Sequence, residues 1–242
     1  MFHLKQHSMK RRTFLSLAGS SLGVAAGIHY GQAQSVTKMD ELWLALEHWL
    51  GQQLPEVLAD LNPGCSNKEL SELERRLNCR LPEDFKAFYR RHDGQKGETT
   101  GLFCGLPVLS TQALYKHWDG WREIADEDQE IATEITGESY PNGAIKPTYI
   151  NVKWIPLTYD GGSNHLGIDV DPGPAGVVGQ VINFGRDENN KFVVASSLSN
   201  FIAWMLAQYQ SGNYKSSERS LDLKEPRNSH FLDVVPLLFG RP

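Results

Sequence analysis

The sequence predicts an α+β domain in which N-terminal helices pack on an antiparallel sheet and a further helix closes the fold. Three observations predict it. Apolar side chains recur at helical spacing through residues 42–89, and apolar–polar alternation broken by Gly and Pro turns follows in residues 154–195. A second helical stripe then occupies residues 198–209. Helices followed by a run of short strands suit a layered α+β arrangement, with no βαβ alternation to make a parallel sheet.

Taken in order, residues 1–33 stand apart. They carry Lys5, Lys10, Arg11 and Arg12 and no carboxylate, and residues 14–28 are an uncharged run of small and apolar side chains. That run is shorter than the roughly 20 residues a bilayer span needs, so the segment reads as a cleavable signal. Arg11-Arg12-Thr13-Phe14-Leu15 resembles a twin-arginine export signal, and Met9 could be the start. An exported, periplasmic protein is therefore expected, the alternative being a cytoplasmic protein with an N-terminal extension.

Leu42, Trp43, Leu46, Trp49, Leu50 and Leu54 form one apolar stripe, and Pro55 must kink this helix or start a second one. Ser66 with Glu69 makes a capping box ahead of Leu70, Leu73 and Leu77. Pro82 suits a first helical position, Glu83 and Asp84 complement the helix dipole, and Asp93-Gly94 stops the helix that carries Phe85, Phe88 and Tyr89. Residues 101–106 read as a short strand, 110–124 as a helix with Leu114, Trp118 and Trp121 on one side, and 126–148 as an irregular helix and loop. Residues 154–159 make a strand, Asp160-Gly161-Gly162-Ser163 a turn, and Leu166, Ile168 and Val170 the inward side of a half-buried strand whose other face is polar. Residues 177–184 and 192–195 continue the meander, and Ser197 caps the closing helix. The domain is placed at residues 38–212, with a tail at 213–242 whose apolar run, 231–239, docks over a sheet edge.

The 242 residues, 40% hydrophobic and 22% charged, exclude a coiled coil, a collagen-like fibre, a disordered chain and a multi-span membrane protein. Net charge is −5; removing the four basic residues of the leader from 24 leaves 20 against 29 acidic side chains, a net −9. Nucleic acid is thus a poor partner. Cys65, Cys79 and Cys104 include no Cys-x-x-Cys pair, so they signal neither a zinc site nor a disulfide framework. No phosphate-cradling glycine loop, no His-Glu-x-x-His helix and no Gly-x-Ser-x-Gly elbow is present. His48 and His117 lie in helical stretches without a nucleophile beside them.

One polar constellation remains: Asp160, Asn164, His165, Asp169 and Asp171, across a hairpin. Period-two geometry puts His165, Asp169 and Asp171 on one strand face. The expectation is that Asp160 and Asp171 hold turn amides while Asp169 faces solvent or a partner. A carboxylate-dependent metal site or hydrolase is the alternative. No catalytic residue, metal ligand or cofactor is assigned.

The ordered set Leu81-Pro82-Glu83-Asp84-Phe85, Phe88-Tyr89, Asp93-Gly94, Trp154-Ile155-Pro156-Leu157, Asp160-Gly161-Gly162, residues 166–172 and Gly179-Gln180-Val181-Ile182 resembles the SUKH superfamily. The branch it is most similar to is Knr/Smi, of yeast cell-wall assembly and killer-toxin resistance. The resemblance spans about residues 40–210 and implies an α+β fold without established catalysis. It also implies a protein partner, either a toxin domain neutralised by an immunity-type protein or a component of cell-wall synthesis. Most members are cytoplasmic, so the export-like leader departs from the pattern, as does the C-terminal tail. On this reading an acidic protein engages a basic toxin domain or wall-synthesis component through a groove rimmed by Asp169, Asp171 and exposed aromatics, with Asp160, Asn164, His165, Asp169 and Asp171 as the partner-binding candidates.

Overall fold

The computed structural model describes residues 26–217, 220–227 and 230–240. The signal-like segment lies outside the described residues up to 25, and residues 26–33 belong to the first helix, α1 (Ala26–Gln53). Pro55 ends α1 and stands at the start of α2 (Pro55–Ala59), since it brings no amide proton but a pre-set helical φ. The capping box forms as the sequence requires: Ser66 accepts from the Glu69 amide, Glu69 accepts from the Ser66 amide, and α3 (Asn67–Leu77) follows. Pro82 precedes α4 (Glu83–Arg91) by one position, and Gly94 leaves the helix at φ +66°, within 2.5 Å of where a Cβ would meet the Leu109 carbonyl group. Ser110 caps α5 (Thr111–Glu127), and α6 (Gln129–Thr133) follows at once.

Five strands make the main sheet: β1 (Ser139–Tyr140), β2 (Trp154–Pro156), β3 (Asn164–Asp169), β4 (Gln180–Gly185) and β5 (Lys191–Ala195). The spatial order is β1-β5-β4-β3-β2. The meander β2 to β5 is antiparallel as expected, whereas β1, only two residues long, adds parallel to β5 and makes the sheet mixed. Residues 101–106 are not a strand. They form a tight buried turn with bridges Gly101–Gly105 and Phe103–Leu106. Helix α7 (Leu198–Gln210), capped by Ser197, buries Leu198, Phe201, Ile202, Met205 and Tyr209.

One sheet face, carrying Ile155, Leu166, Ile168, Val181, Phe192 and Val194, joins α1, α4 and α7 in the main core. Trp43, Phe88, Phe103 and Phe201 form a chain of ring contacts through it, with successive centroids 4.7, 5.8 and 5.0 Å apart. The other face was expected to be polar and open; instead, all six residues of β3 are buried. The loop after β1 lies across it, and Ala144 and Ile145 pack with Trp154, Ile182 and Phe184 in a second small core. Gln180 Nε2 donates to the Ala144 carbonyl at 2.9 Å and fastens that loop down.

The C-terminal residues continue the same unit. A small hairpin, β6 (Lys215–Ser217) and β7 (Ser220–Asp222), leads to α8 (Phe231–Phe239). Trp204 of α7 lies between Phe231 and Phe239, and Leu221, Leu223, Phe231, Leu232 and Val235 belong to the main core. The apolar run therefore docks, on α7 and β5. Cys65, Cys79 and Cys104 are free thiols, and Cys65 and Cys104 are buried. No helix among the described residues is long and apolar enough to cross a membrane.

Candidate functional site

The five hairpin residues separate into two local structures at opposite ends of β3, about 17 Å apart at the rise of an extended chain. At the first, Asp160 accepts from the amides of Gly162 (2.6 Å) and Asn164 (2.9 Å) and from Asn164 Nδ2 (2.8 Å). Burial pushes its carboxyl up, but these donors outweigh burial and hold it below the usual range. Asn164 is buried and ties the turn to Asp187, whose amide donates to Asn164 Oδ1 at 2.8 Å. Asp160 therefore holds turn amides, as expected.

The second end corrects the expectation for Asp169 and Asp171, whose roles are exchanged. Asp169 is fully buried. Its Oδ1 accepts from the Asp171 amide (2.9 Å) and its Oδ2 from Gln180 Nε2 (3.0 Å), while burial pushes its carboxyl up to about 6. Asp171 is half-buried and holds no turn amide; it pairs with Lys146 Nζ at 2.5 Å and accepts from Asn151. Burial raises the Asp171 carboxyl less than that ammonium and amide lower it, so it lies below its ordinary value. His165 and Asp169 cannot form an exposed rim, because helix α5 and the loop after β1 cover the face they share, and Asn164, on the other face, is buried as well. Protein donors occupy Asp169 and Asp160, and among the described residues no cluster of three or more His, Cys, Asp or Glu side chains is disposed to hold a metal ion.

What the hairpin does help to build is a groove. It has a volume of about 580 Å³ and runs between α5 and the start of β3. Lys116, His117, Gly120, Trp121 and Ile124 line it from α5, Ile131 from α6, Tyr149 from the covering loop, and Ser163, His165 and Arg186 from the hairpins. Trp121 and Tyr149 meet edge-on at 6.0 Å between centroids. Ile124 and Ile131 are each 43% exposed.

His165 forms its floor. Its Nδ1 donates to the Thr158 carbonyl at 2.5 Å, because a carbonyl can only accept. Its Nε2 accepts from the Trp121 indole N–H at 3.2 Å, because an indole can only donate. Both nitrogens are thus committed in the neutral form. Burial pushes the imidazole down to about 4, and His117, 5.4 Å away between centroids, adds to that effect. His117 is lowered as well, by burial and then by Lys116. A neutral, doubly hydrogen-bonded histidine without an adjacent nucleophile positions Trp121; it has no free nitrogen with which to move a proton.

Apart from His165, none of these lining residues was among the sequence candidates. The signal was present: Ile124 and Ile131 lie off the Leu114–Trp118 stripe, amid carboxylates. What that meant depended on Tyr149 and Arg186, which only the fold brings alongside.

Comparison with known proteins matches residues 64–204 to the family described as SMI1 / KNR4 family (SUKH-1), more than half of the chain. The chain belongs to the SUKH-1 family. It is 31% identical over 214 residues to a "Glucan synthesis regulatory protein" of Neurospora crassa, covering 75% of this chain and 40% of that one. To the "Cell wall biosynthesis/cell cycle regulator smi1" of Schizosaccharomyces pombe it is 31% identical over 236 residues, 90% of this chain and 46% of the relative. To the "Cell wall assembly regulator SMI1" of Saccharomyces cerevisiae it is 28% identical, over 71% and 40%. This SUKH-1 chain spans under half the length of these curated relatives. Their names describe regulators, and the matched residues 64–204 include α3 to α5, the groove and the whole five-stranded sheet.

Proposed function

We propose that this SUKH-1 protein is a non-catalytic protein-binding module that regulates cell-wall synthesis, and that it binds through the α5–β3 groove. The observation that carries the reading is the groove itself: open, lined by Trp121, Tyr149, Ile124 and Ile131, and floored by a histidine with no spare nitrogen. Aromatic and branched apolar side chains in a concave site are what protein interfaces use as anchors. The names of the relatives supply the wall-synthesis context.

The test is genetic. Removing the gene should alter wall glucan content and sensitivity to wall-directed dyes, and the wild-type gene but not the Ile124→Ser/Ile131→Ser double variant should restore both. A deletion strain with an unchanged wall would overturn the regulatory reading. Toxin neutralisation, the other role the resemblance implies, would use the same surface; restored growth on co-expression with a toxin encoded alongside would select it instead. The Arg11-Arg12 leader supports export, and cell fractionation with the twin-arginine translocase disabled tests that; an unchanged distribution removes it.

A further inference from the structure

We infer that the groove between α5 and β3 takes an acidic protein segment, whose carboxylates meet Lys116 and Arg186 and whose apolar side chains rest on the aromatic and isoleucine wall; the inference rests on the protein-binding reading above. Charge is the first ground. The chain as a whole carries −5, and residues 119–134 form an acidic arm of seven carboxylates against one cation, Arg122. The groove has the opposite sign: Lys116 and Arg186 line it, and no carboxylate does. Asp128, Glu130 and Glu134 line a separate depression on α6. Net charge alone points to a basic partner, whereas the lining of the groove points to an anionic one.

The second ground is that the polar groups along the groove are donors without partners. Lys116 is exposed and makes no ion pair among the described residues. The Arg186 side chain is 71% exposed, and its neighbour Asp187 stands at 3.9 Å, beyond hydrogen-bonding reach. The backbone of Arg186 is nonetheless fixed at the lip of the groove. Its amide donates to the Ser163 carbonyl at 3.1 Å, and its carbonyl accepts from the Tyr149 hydroxyl at 3.4 Å. His117 has ring contacts with Tyr159 and His165, at 4.3 and 5.4 Å, but no hydrogen bond among the described residues.

The third ground is the wall of Trp121, Tyr149, Ile124 and Ile131 beside those donors. A bare anion would leave it uncovered; a segment with Asp or Glu set among apolar residues satisfies both parts. A basic segment would meet two like charges. A nucleic-acid backbone or an anionic membrane would spread further negative charge along the acidic arm, whereas a short segment keeps its carboxylates at Lys116 and Arg186. A second copy paired symmetrically through the groove would set both cations against their own images.

The probe is a short fluorescent peptide of Glu and Leu, with a Lys and Leu counterpart as control, followed by anisotropy on the full chain. The Glu peptide binds and the Lys peptide does not. Lys116→Gln/Arg186→Gln weakens binding roughly fivefold and removes most of its salt dependence, whereas Lys68→Gln/Arg80→Gln, exposed cations elsewhere, leaves it unchanged. Ile124→Ser/Ile131→Ser, at positions exposed enough to leave folding intact, weakens it roughly tenfold. Failure of the Glu peptide to bind, equal losses in both glutamine pairs, or indifference to the isoleucine changes would overturn the inference. So would a single-stranded oligonucleotide or phosphatidylglycerol vesicles binding in the peptide's place, or a dimer in sedimentation that Lys116→Gln/Arg186→Gln dissolves. An unaltered wall in the deletion strain would remove the regulatory role while leaving this groove chemistry standing, so the two readings fail separately.

Discussion

Replacing His165 with phenylalanine separates acid sensitivity from packing. In the folded protein burial holds the imidazole near 4, against 6.5 for an ordinary histidine. The sign follows from which state takes the proton. Between pH 6.5 and 4 the unfolded chain is protonated here and the folded one is not, so stability is fully present above 6.5 and falls as pH drops toward 4. At about 1.4 kcal/mol per pH unit, a fall from 6.5 to about 4 amounts to a loss of about 3 kcal/mol. Phenylalanine keeps the ring against Phe184, 5.3 Å away between centroids, but strips the Thr158 carbonyl of its donor, a cost of about 1–3 kcal/mol at neutral pH. Urea unfolding should therefore find the variant less stable at neutral pH and level with, or above, the wild type near pH 4. Asp169 and Glu188 also titrate in this range, with carboxyls that burial pushes up to about 6, but they are present in both proteins and cancel in the comparison. A wild-type-minus-variant gap that stays constant with pH would refute the account of a neutral, buried histidine.

Three further outcomes are expected. Gly167→Ala places a Cβ 2.4 Å from the Ile155 carbonyl oxygen and 2.5 Å from the Phe184 ring, and should lose about 3 kcal/mol in urea unfolding; an unchanged midpoint would show that β2 and β3 can part there. Asp169→Asn removes a carboxyl raised to about 6, whose contribution to stability declines as pH rises from about 4 to 6; the variant's stability profile should be flatter over that window, and a profile parallel to wild type would count against burial as the cause. Brief alkylation of the native protein, mapped by mass spectrometry, should modify the half-buried Cys79 before Cys65 and Cys104, whose thiols burial pushes up to about 12; the reverse order would contradict the packing.

The helical half was legible because its signals are local. Ser66 with Glu69, Pro55, Pro82 and Asp93-Gly94 each satisfy or remove backbone groups within a turn of themselves, so their consequences do not wait on the rest of the fold. The four strands of the meander, β2 to β5, were legible in position but not in exposure. Alternation in β3 marks two faces, yet whether the polar face meets water depends on residues 136–150 folding back over it, through the Ala144–Gln180 hydrogen bond and the Ala144/Ile145 core. Hence Asp169 was expected outside and lies inside, and β1, two residues long and parallel, left no pattern to read.

Sequence alone settled the composition of this protein: an α+β SUKH-1 chain of negative charge, lacking the residue spacings that common hydrolases and phosphate-binding enzymes need. Those are properties of neighbours along the chain, where capping, turn formation and periodicity act over a few residues. The tertiary structure decided the surface. Burial and charge pairing are set by residues far apart in sequence, so only folding could bury His165 beside Trp121, exchange the roles of Asp169 and Asp171, and leave two isoleucines exposed within an acidic arm.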